Sequence, residues 1–299
     1  MNIAVLGLGL MGVAVARRLQ DQGQAVKGWN RGDARRDAAA AQGLEVTGRV
    51  EEAIDGSDCV ILTLSDAAAI GAVLTGEEVE PALAGRVAIQ MGTIAPSESR
   101  DLERRLRGAG ADYLEAPVLG SIPEARSGRL IVMAGGPEPL FQRCLPLLRL
   151  LGERPRLIGP TGQGAALKLA MNQLIGALTA GFSASLGLVR AEGIDVDLFM
   201  DLLRGSALYA PTFDKKLGKM LDGQYGSPNF PLKHLIKDLA LFERVAAGHA
   251  MDVRVPAALG ALSEEALLAG HGDEDYSSLY EAVNPEGHRR DRPSTTPKG

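Results

Sequence analysis

The chain has 299 residues, 45% hydrophobic and 23% charged, with a formal net charge of -5. That length suffices for two domains and a full hydrophobic core, and the acidic balance argues against a nucleic-acid backbone as main partner, which needs a basic face. Cys59 and Cys144 are too few for a disulfide framework and sit in apolar runs, so they read as buried free thiols.

The opening MNIAVLGLGLMG has no positive lead and is too short and glycine-rich for a signal peptide or membrane span. It reads as a strand entering a turn, and a cytoplasmic location is expected. Strand candidates follow at 2–9, 25–30, 58–65, 86–92, 112–118 and 129–135, with helical patterning between them, as at 11–22 and 96–108. This alternation predicts parallel pairing through right-handed crossovers, hence an α/β fold with a Rossmann-type doubly wound sheet. After about Pro160 the character changes. Residues 163–192 form one proline-free run rich in Ala, Leu and small residues, a helix of about 45 Å by its rise per residue. Only helical segments follow, so an all-α domain is expected. The domains are placed at 1–160 and 161–284, with a polar, proline-bearing tail at 285–299 expected to be disordered.

Gly7, Gly9 and Gly12 form G-x-G-x-x-G in GLGLMG, directly after a strand and opening a helix. In that context Gly7 permits the tight turn, Gly9 admits a pyrophosphate to the backbone, and Gly12 lets helix and strand pack closely. The helix start, with Leu8, Leu10 and Met11, then favours the anionic phosphates. At the end of the second strand stand Asn30 and Arg31. An acidic residue there would serve NAD, whereas Arg31 can clamp a 2′-phosphate. NADP is therefore the expected cofactor, with NAD kept open by Asp33 nearby.

Further blocks end strands on the ligand side of such a sheet: Leu64-Ser65-Asp66, then Thr93 in MGTIAP, then EAPVLGS at 115–121. GQGAALKLAMN at 162–172 and Lys237-Asp238-Leu239 complete the series. In this order and spacing, from Met1 to about Val283, the chain resembles the β-hydroxyacid dehydrogenases. These include 3-hydroxyisobutyrate dehydrogenases, tartronate semialdehyde reductases and glyoxylate/succinic semialdehyde reductases. The resemblance implies hydride exchange between NAD(P) and a small aldehyde, keto acid or hydroxy acid, with Lys168 as general acid/base and Asn172 as its partner. It places Leu64, Ser65 and Thr93 toward the nicotinamide, counts Asp66 among the cofactor-binding residues, and closes Lys237 and Asp238 over the cofactor. Val118, Leu119, Gly120 and Ser121 would hold the substrate together with Lys168 and Asn172. Two departures stand out: Leu119 replaces a serine, and Gly92 stands where serine or threonine is usual.

The chemistry agrees with the residue types. Carbonyl reduction leaves negative charge on oxygen, and a lysine in apolar surroundings suits proton delivery there. Lys168 lies in ALKLAMNQL with Asn172 one turn later on the same face; a surface lysine is the ordinary alternative. His234, His249, His271 and His288 show no metal-ligand spacing, and no serine–histidine–acid set is evident, so a site without metal or covalent intermediate is expected. The substrate is expected in a cleft between the domains, and small residues in LIGALTAGFSASLGLV suggest a homodimer or homotetramer through the helical domain. Rival readings are an imine reductase, which usually lacks this lysine, and a non-catalytic dinucleotide-binding module. A 6-phosphogluconate-type decarboxylase is disfavoured because the chain is short and lacks evident phosphate-binding residues.

Overall fold

The structure, a computed structural model, describes residues 1–76 and 78–285; the expected tail lies, from residue 286 onward, outside the described residues. The chain resolves into two compact units, Met1–Met171 and a second from Asn172 onward.

In chain order the first unit runs β1 (Asn2–Leu6), α1 (Leu10–Asp21), β2 (Ala25–Trp29), α2 (Asp33–Ala40), β3 (Glu45–Thr47), α3 (Val50–Ile54) and β4 (Cys59–Leu62). It continues with α4 (Ala67–Leu74), α5 (Val79–Leu83), β5 (Val87–Gln90), α6 (Pro96–Gly108), β6 (Asp112–Glu115), β7 (Val118–Leu119), α7 (Ile122–Ser127), β8 (Ile131–Gly135), α8 (Glu138–Leu151) and β9 (Arg156–Gly159). The strands form one mixed sheet in the order β3-β2-β1-β4-β5-β6-β8-β7, with β9 paired to β8. From β3 to β6 every pairing is parallel.

Two details depart from the strand pattern read in the sequence. The run 112–118 breaks at Ala116-Pro117 into β6 and β7, because Pro117 has no N–H to give a ladder. Strand β8 then runs antiparallel to both pieces. The short β3 and β9 carry only three and four residues, too few to show an alternating pattern.

The parallel strands are buried on both faces, as their near-continuous apolar runs require. Ile3, Val5, Cys59 and Ile61 pack on one side against Val15 and Leu19 of α1 and Phe141, Cys144 and Leu148 of α8. Ala4, Leu6, Val60 and Leu62 pack on the other against Ile54, Ile70, Leu74, Leu102 and Leu106. The expectation for the cysteines is met: both thiols are free and buried, and burial pushes Cys144 up to about 11. Such thiols are inert core atoms.

The long helix α9 (Gln163–Ala191) starts in the first unit and runs on into the second. The second unit adds α10 (Val196–Arg204), α11 (Pro211–Asp222), α12 (Leu232–Gly248), α13 (Arg254–Leu268) and α14 (Leu279–Val283), with no strand among its described residues. Leu232, Leu235 and Leu239 of α12 pack on Leu259 and Ala266 of α13. Phe182 of α9 stacks on Phe213 of α11 at 4.6 Å. The Asn284 amide donates to Ser183 O at 2.9 Å and Tyr280 O at 3.3 Å, fastening the end of α14 to α9.

Candidate active site

Leu6, Leu62, Gln90 and Glu115 are register partners from β1 through β4 and β5 to β6, and Leu6 also pairs with Trp29 of β2. The segments following these five residues therefore leave the sheet along one line, at the carboxyl end where an open α/β sheet receives its ligand. They are Gly7–Gly12, Asn30–Arg31, Thr63–Asp66, Met91–Pro96 and Ala116–Ser121.

The glycine turn is built by close approach. Gly7 has φ +109 and donates to Trp29 O at 2.8 Å, a backbone region that L side chains rarely adopt. A Cβ on Gly12 would run into Gly7 O and lie 2.7 Å from Thr63 Oγ1. Gly9 is different: a Cβ there meets only Arg35 Nη1, at 3.9 Å. The protein itself therefore does not require glycine at position 9. Gly9 is also the N-cap of α1, with no side-chain cap and no acidic residue in the first turn. Its first amides are thus available to an anion.

Asn30 is buried, and its amide is spent on the protein: Oδ1 accepts from Leu8 N at 3.1 Å and Nδ2 donates to Gly32 O at 3.2 Å. It shapes the turn. Arg31 is exposed beside it. Asp33 forms an ion pair with Arg36, whose Nη1 also donates to Asn30 O at 2.7 Å. The carboxylate that kept NAD open in the sequence is therefore engaged by a guanidinium.

After β4, Asp66 caps α4 by accepting from Ala69 N at 2.7 Å, and Ser65 Oγ donates to its other oxygen at 2.8 Å. Leu64 and Thr93 are half-buried. Gly92 has a local reason, since a Cβ there would stand 2.6 Å from Leu64 O; the usual serine or threonine does not fit this backbone.

Glu115 ends the line at β6. It is 1% exposed, and its Oε1 accepts from Gly162 N at 2.8 Å, Gly164 N at 2.7 Å and Ala165 N at 3.3 Å. Its Oε2 accepts from Ser99 Oγ, which in turn meets Tyr113 OH at 2.8 Å. One carboxylate of β6 thereby serves as the N-terminal cap of α9. Half-buried Lys168 stands one turn beyond Gly164, about 6 Å along the axis. Beyond β6, Val118 is buried and Leu119 half-buried. The Ser121 backbone N–H and hydroxyl both donate to Glu124 Oε2, at 2.8 and 2.5 Å.

Within the second unit, Asn172 Nδ2 donates to Asp238 Oδ2 at 2.5 Å, and Lys237 Nζ lies 2.6 Å from Asp238 Oδ1. Asn172 and Asp238 are almost wholly buried, and Asn172 Oδ1 has no hydrogen-bond partner among the described residues. Asn172 and Asp238 were both expected to be functional, but their pairing was not, since it joins residues 66 positions apart. Thr63, Glu115 and Arg35 were not singled out. An i+4 basic residue after Arg31 was the available signal for Arg35; nothing local marks the other two.

A model described as the NAD binding domain of 6-phosphogluconate dehydrogenase matches residues 2–159. One described as "NAD-binding of NADP-dependent 3-hydroxyisobutyrate dehydrogenase" matches residues 162–283. The chain is 33% identical to glyoxylate/succinic semialdehyde reductase 1 of Arabidopsis thaliana, over 95% of this chain and 98% of that one. The chain belongs to the β-hydroxyacid dehydrogenase family.

As a member of that family it is an NAD(P)-binding oxidoreductase acting on CH–OH or C=O groups. Its fold is that of a 3-hydroxyisobutyrate dehydrogenase from Salmonella typhimurium, with TM-score 0.84 and 24% identity over 94% of this chain and 99% of that one. An imine reductase from Myxococcus stipitatus in complex with NADP+ is less similar, with TM-score 0.65 and 23% identity over 95% of this chain and all of that one. That likeness is one of fold. Gly9, where only Arg35 Nη1 comes within 4 Å of a Cβ position, and the uncapped start of α1 fit the family's dinucleotide.

Proposed function

We propose that this β-hydroxyacid dehydrogenase uses NADP in preference to NAD to interconvert a small aldehyde or ketone and its alcohol, with Lys168 as general acid/base. The observation that carries the reading is the seating of α9. Glu115 ties the helix start to the same line of strand ends that presents the glycine turn, and Lys168 follows one turn later.

The bound dinucleotide supplies or accepts the hydride at the carbonyl carbon. Gly7–Gly12 and the first amides of α1 hold its pyrophosphate. Arg31, with Arg35 beside Gly9, provides cations for a 2′-phosphate, and Asp33, the acidic residue near them in sequence, is paired with Arg36. Leu64, Ser65 and Thr93 line the reacting end, where half-buried Leu64 limits water. In the reductive direction Lys168 Nζ gives a proton to the carbonyl oxygen; in the oxidative direction it takes one from the alcohol. The orphaned Asn172 Oδ1 is an acceptor suited to an ammonium or hydroxyl group, and Asp238 fixes which way that amide faces.

Lys168→Ala tests the assignment: turnover should fall by about 10² or more while the dissociation constant for NADPH stays near the wild-type value. Unchanged turnover would remove Lys168 from the chemistry.

The reading extends to a homodimer or homotetramer built through the second unit. Leu188, Leu198, Leu202 and Leu208 are all more than half exposed there, apolar surface that a second copy would cover. Light scattering should give at least twice the 31.4 kDa chain mass, and replacing Leu198 and Leu202 by glutamate should lower it. A wild-type monomer would refute the assembly.

A further inference from the structure

One peptide group of the glycine turn is held at both ends by side chains. Between Gly7 and Leu8, the carbonyl oxygen accepts from Thr63 Oγ1 at 2.6 Å, and the N–H donates to Asn30 Oδ1 at 3.1 Å. The two clamps come from opposite sides, since β1 lies between β2, which Asn30 follows, and β4, which Thr63 follows. Each clamp is itself fastened. Asn30 is 9% exposed and its Nδ2 donates to Gly32 O at 3.2 Å; Thr63 N donates to Leu6 O at 2.9 Å. The buried Leu8 side chain lies over Gly28 of β2, where a Cβ would stand 2.9 Å from Leu8 Cδ2.

A peptide beside a glycine needs such restraint. Gly7 has φ +109, and glycine reaches many other conformations at little cost. A turn that samples several of them binds the dinucleotide only in the fraction correctly formed, and the apparent affinity falls by that fraction. Holding the peptide in advance removes this ordering cost. The pyrophosphate that such a turn receives is common to NAD and NADP.

We infer that Thr63 and Asn30 are positioning residues that set affinity for NAD and NADP alike by fixing the Gly7–Leu8 peptide. The inference rests on the reading of Gly7–Gly12 as the pyrophosphate turn.

The test is titration of the folded protein with NADPH and with NADH, well below its unfolding midpoint. Thr63→Val removes the hydroxyl at nearly constant shape and should raise both dissociation constants about tenfold, the scale of one hydrogen bond. Thr63→Ser keeps a hydroxyl and should restore them. Asn30→Ala should also raise both, leaving their ratio at the wild-type value. A merely structural role would lower the unfolding midpoint without moving the constants of the folded protein. If Asn30→Ala does not fold, the two Thr63 variants decide the matter.

Gly9→Ala, titrated alongside, reports on the turn itself. Wild-type affinity in Gly9→Ala would refute the pyrophosphate reading and the inference with it. Weakened binding in Gly9→Ala beside wild-type constants in Thr63→Val would overturn the clamp and leave the turn standing. So would a loss confined to NADPH in Asn30→Ala, or no recovery in Thr63→Ser.

Discussion

Glu115 is the side chain whose removal has the most to say about this enzyme. In Glu115→Ala, the amides of Gly162, Gly164 and Ala165 lose their common acceptor and the Ser99 hydroxyl loses its carboxylate partner. At about 1 kcal/mol net for each of the four bonds, the loss is about 4 kcal/mol. Losing a negative charge at a helix start adds a few tenths to about 1 kcal/mol more. For a protein of this size that corresponds to a Tm drop of roughly 10 °C. Glu115→Gln keeps an acceptor for the amides but turns an N–H₂ toward Ser99, so its loss should be nearer 1–2 kcal/mol. Ser99→Ala, which deletes a single partner, should cost about 1 kcal/mol.

Calorimetry on the three variants should give the order Ala, then Gln, then the Ser99 change. Because the first turns of α9 carry Lys168, Glu115→Ala should also lower kcat roughly tenfold or more, the penalty for a displaced reacting group, with a smaller change in KM for NADPH. A Glu115→Ala protein within about 1 kcal/mol of wild type would show that the carboxylate does not hold the helix. A destabilised variant with wild-type kcat would show that holding the helix is irrelevant to the chemistry.

Gly9 and Gly12 separate folding from ligand binding. Gly12→Ala drives a methyl into Gly7 O and Thr63 Oγ1 and should cost about 3 kcal/mol of stability; an unchanged denaturation midpoint would contradict the geometry. Gly9→Ala meets no protein atom closer than 3.9 Å, so its stability should match wild type while NADPH affinity falls about tenfold or more. Wild-type affinity in that variant would mean that no ligand backbone passes over Gly9. Arg31→Ala should raise KM for NADPH about tenfold and hardly change KM for NADH, since only the former carries the 2′-phosphate; equal effects on both would refute Arg31 as a phosphate clamp.

Much of this enzyme could be read from local pattern. The glycine turn sits between apolar β1 and α1 within a dozen residues, so its geometry follows from neighbours in sequence. The length of α9 followed from an unbroken proline-free run, and the parallel strands announced themselves as apolar runs buried on both faces. Short β3 and β9 could not, because three or four residues hold too little pattern.

What tertiary structure alone decided is which distant groups meet. Glu115 caps a helix that starts nearly fifty positions later, and Asn172 gives its amide to Asp238. Two other pairs are local, three residues apart: Asp33 with Arg36 in α2, and Ser121 with Glu124 at the start of α7. Sequence periodicity records which face of an element is apolar, since burial acts on every residue of that face. A buried polar contact is one pair among very many and leaves no periodic trace. Its partners become known when packing brings them within hydrogen-bond reach.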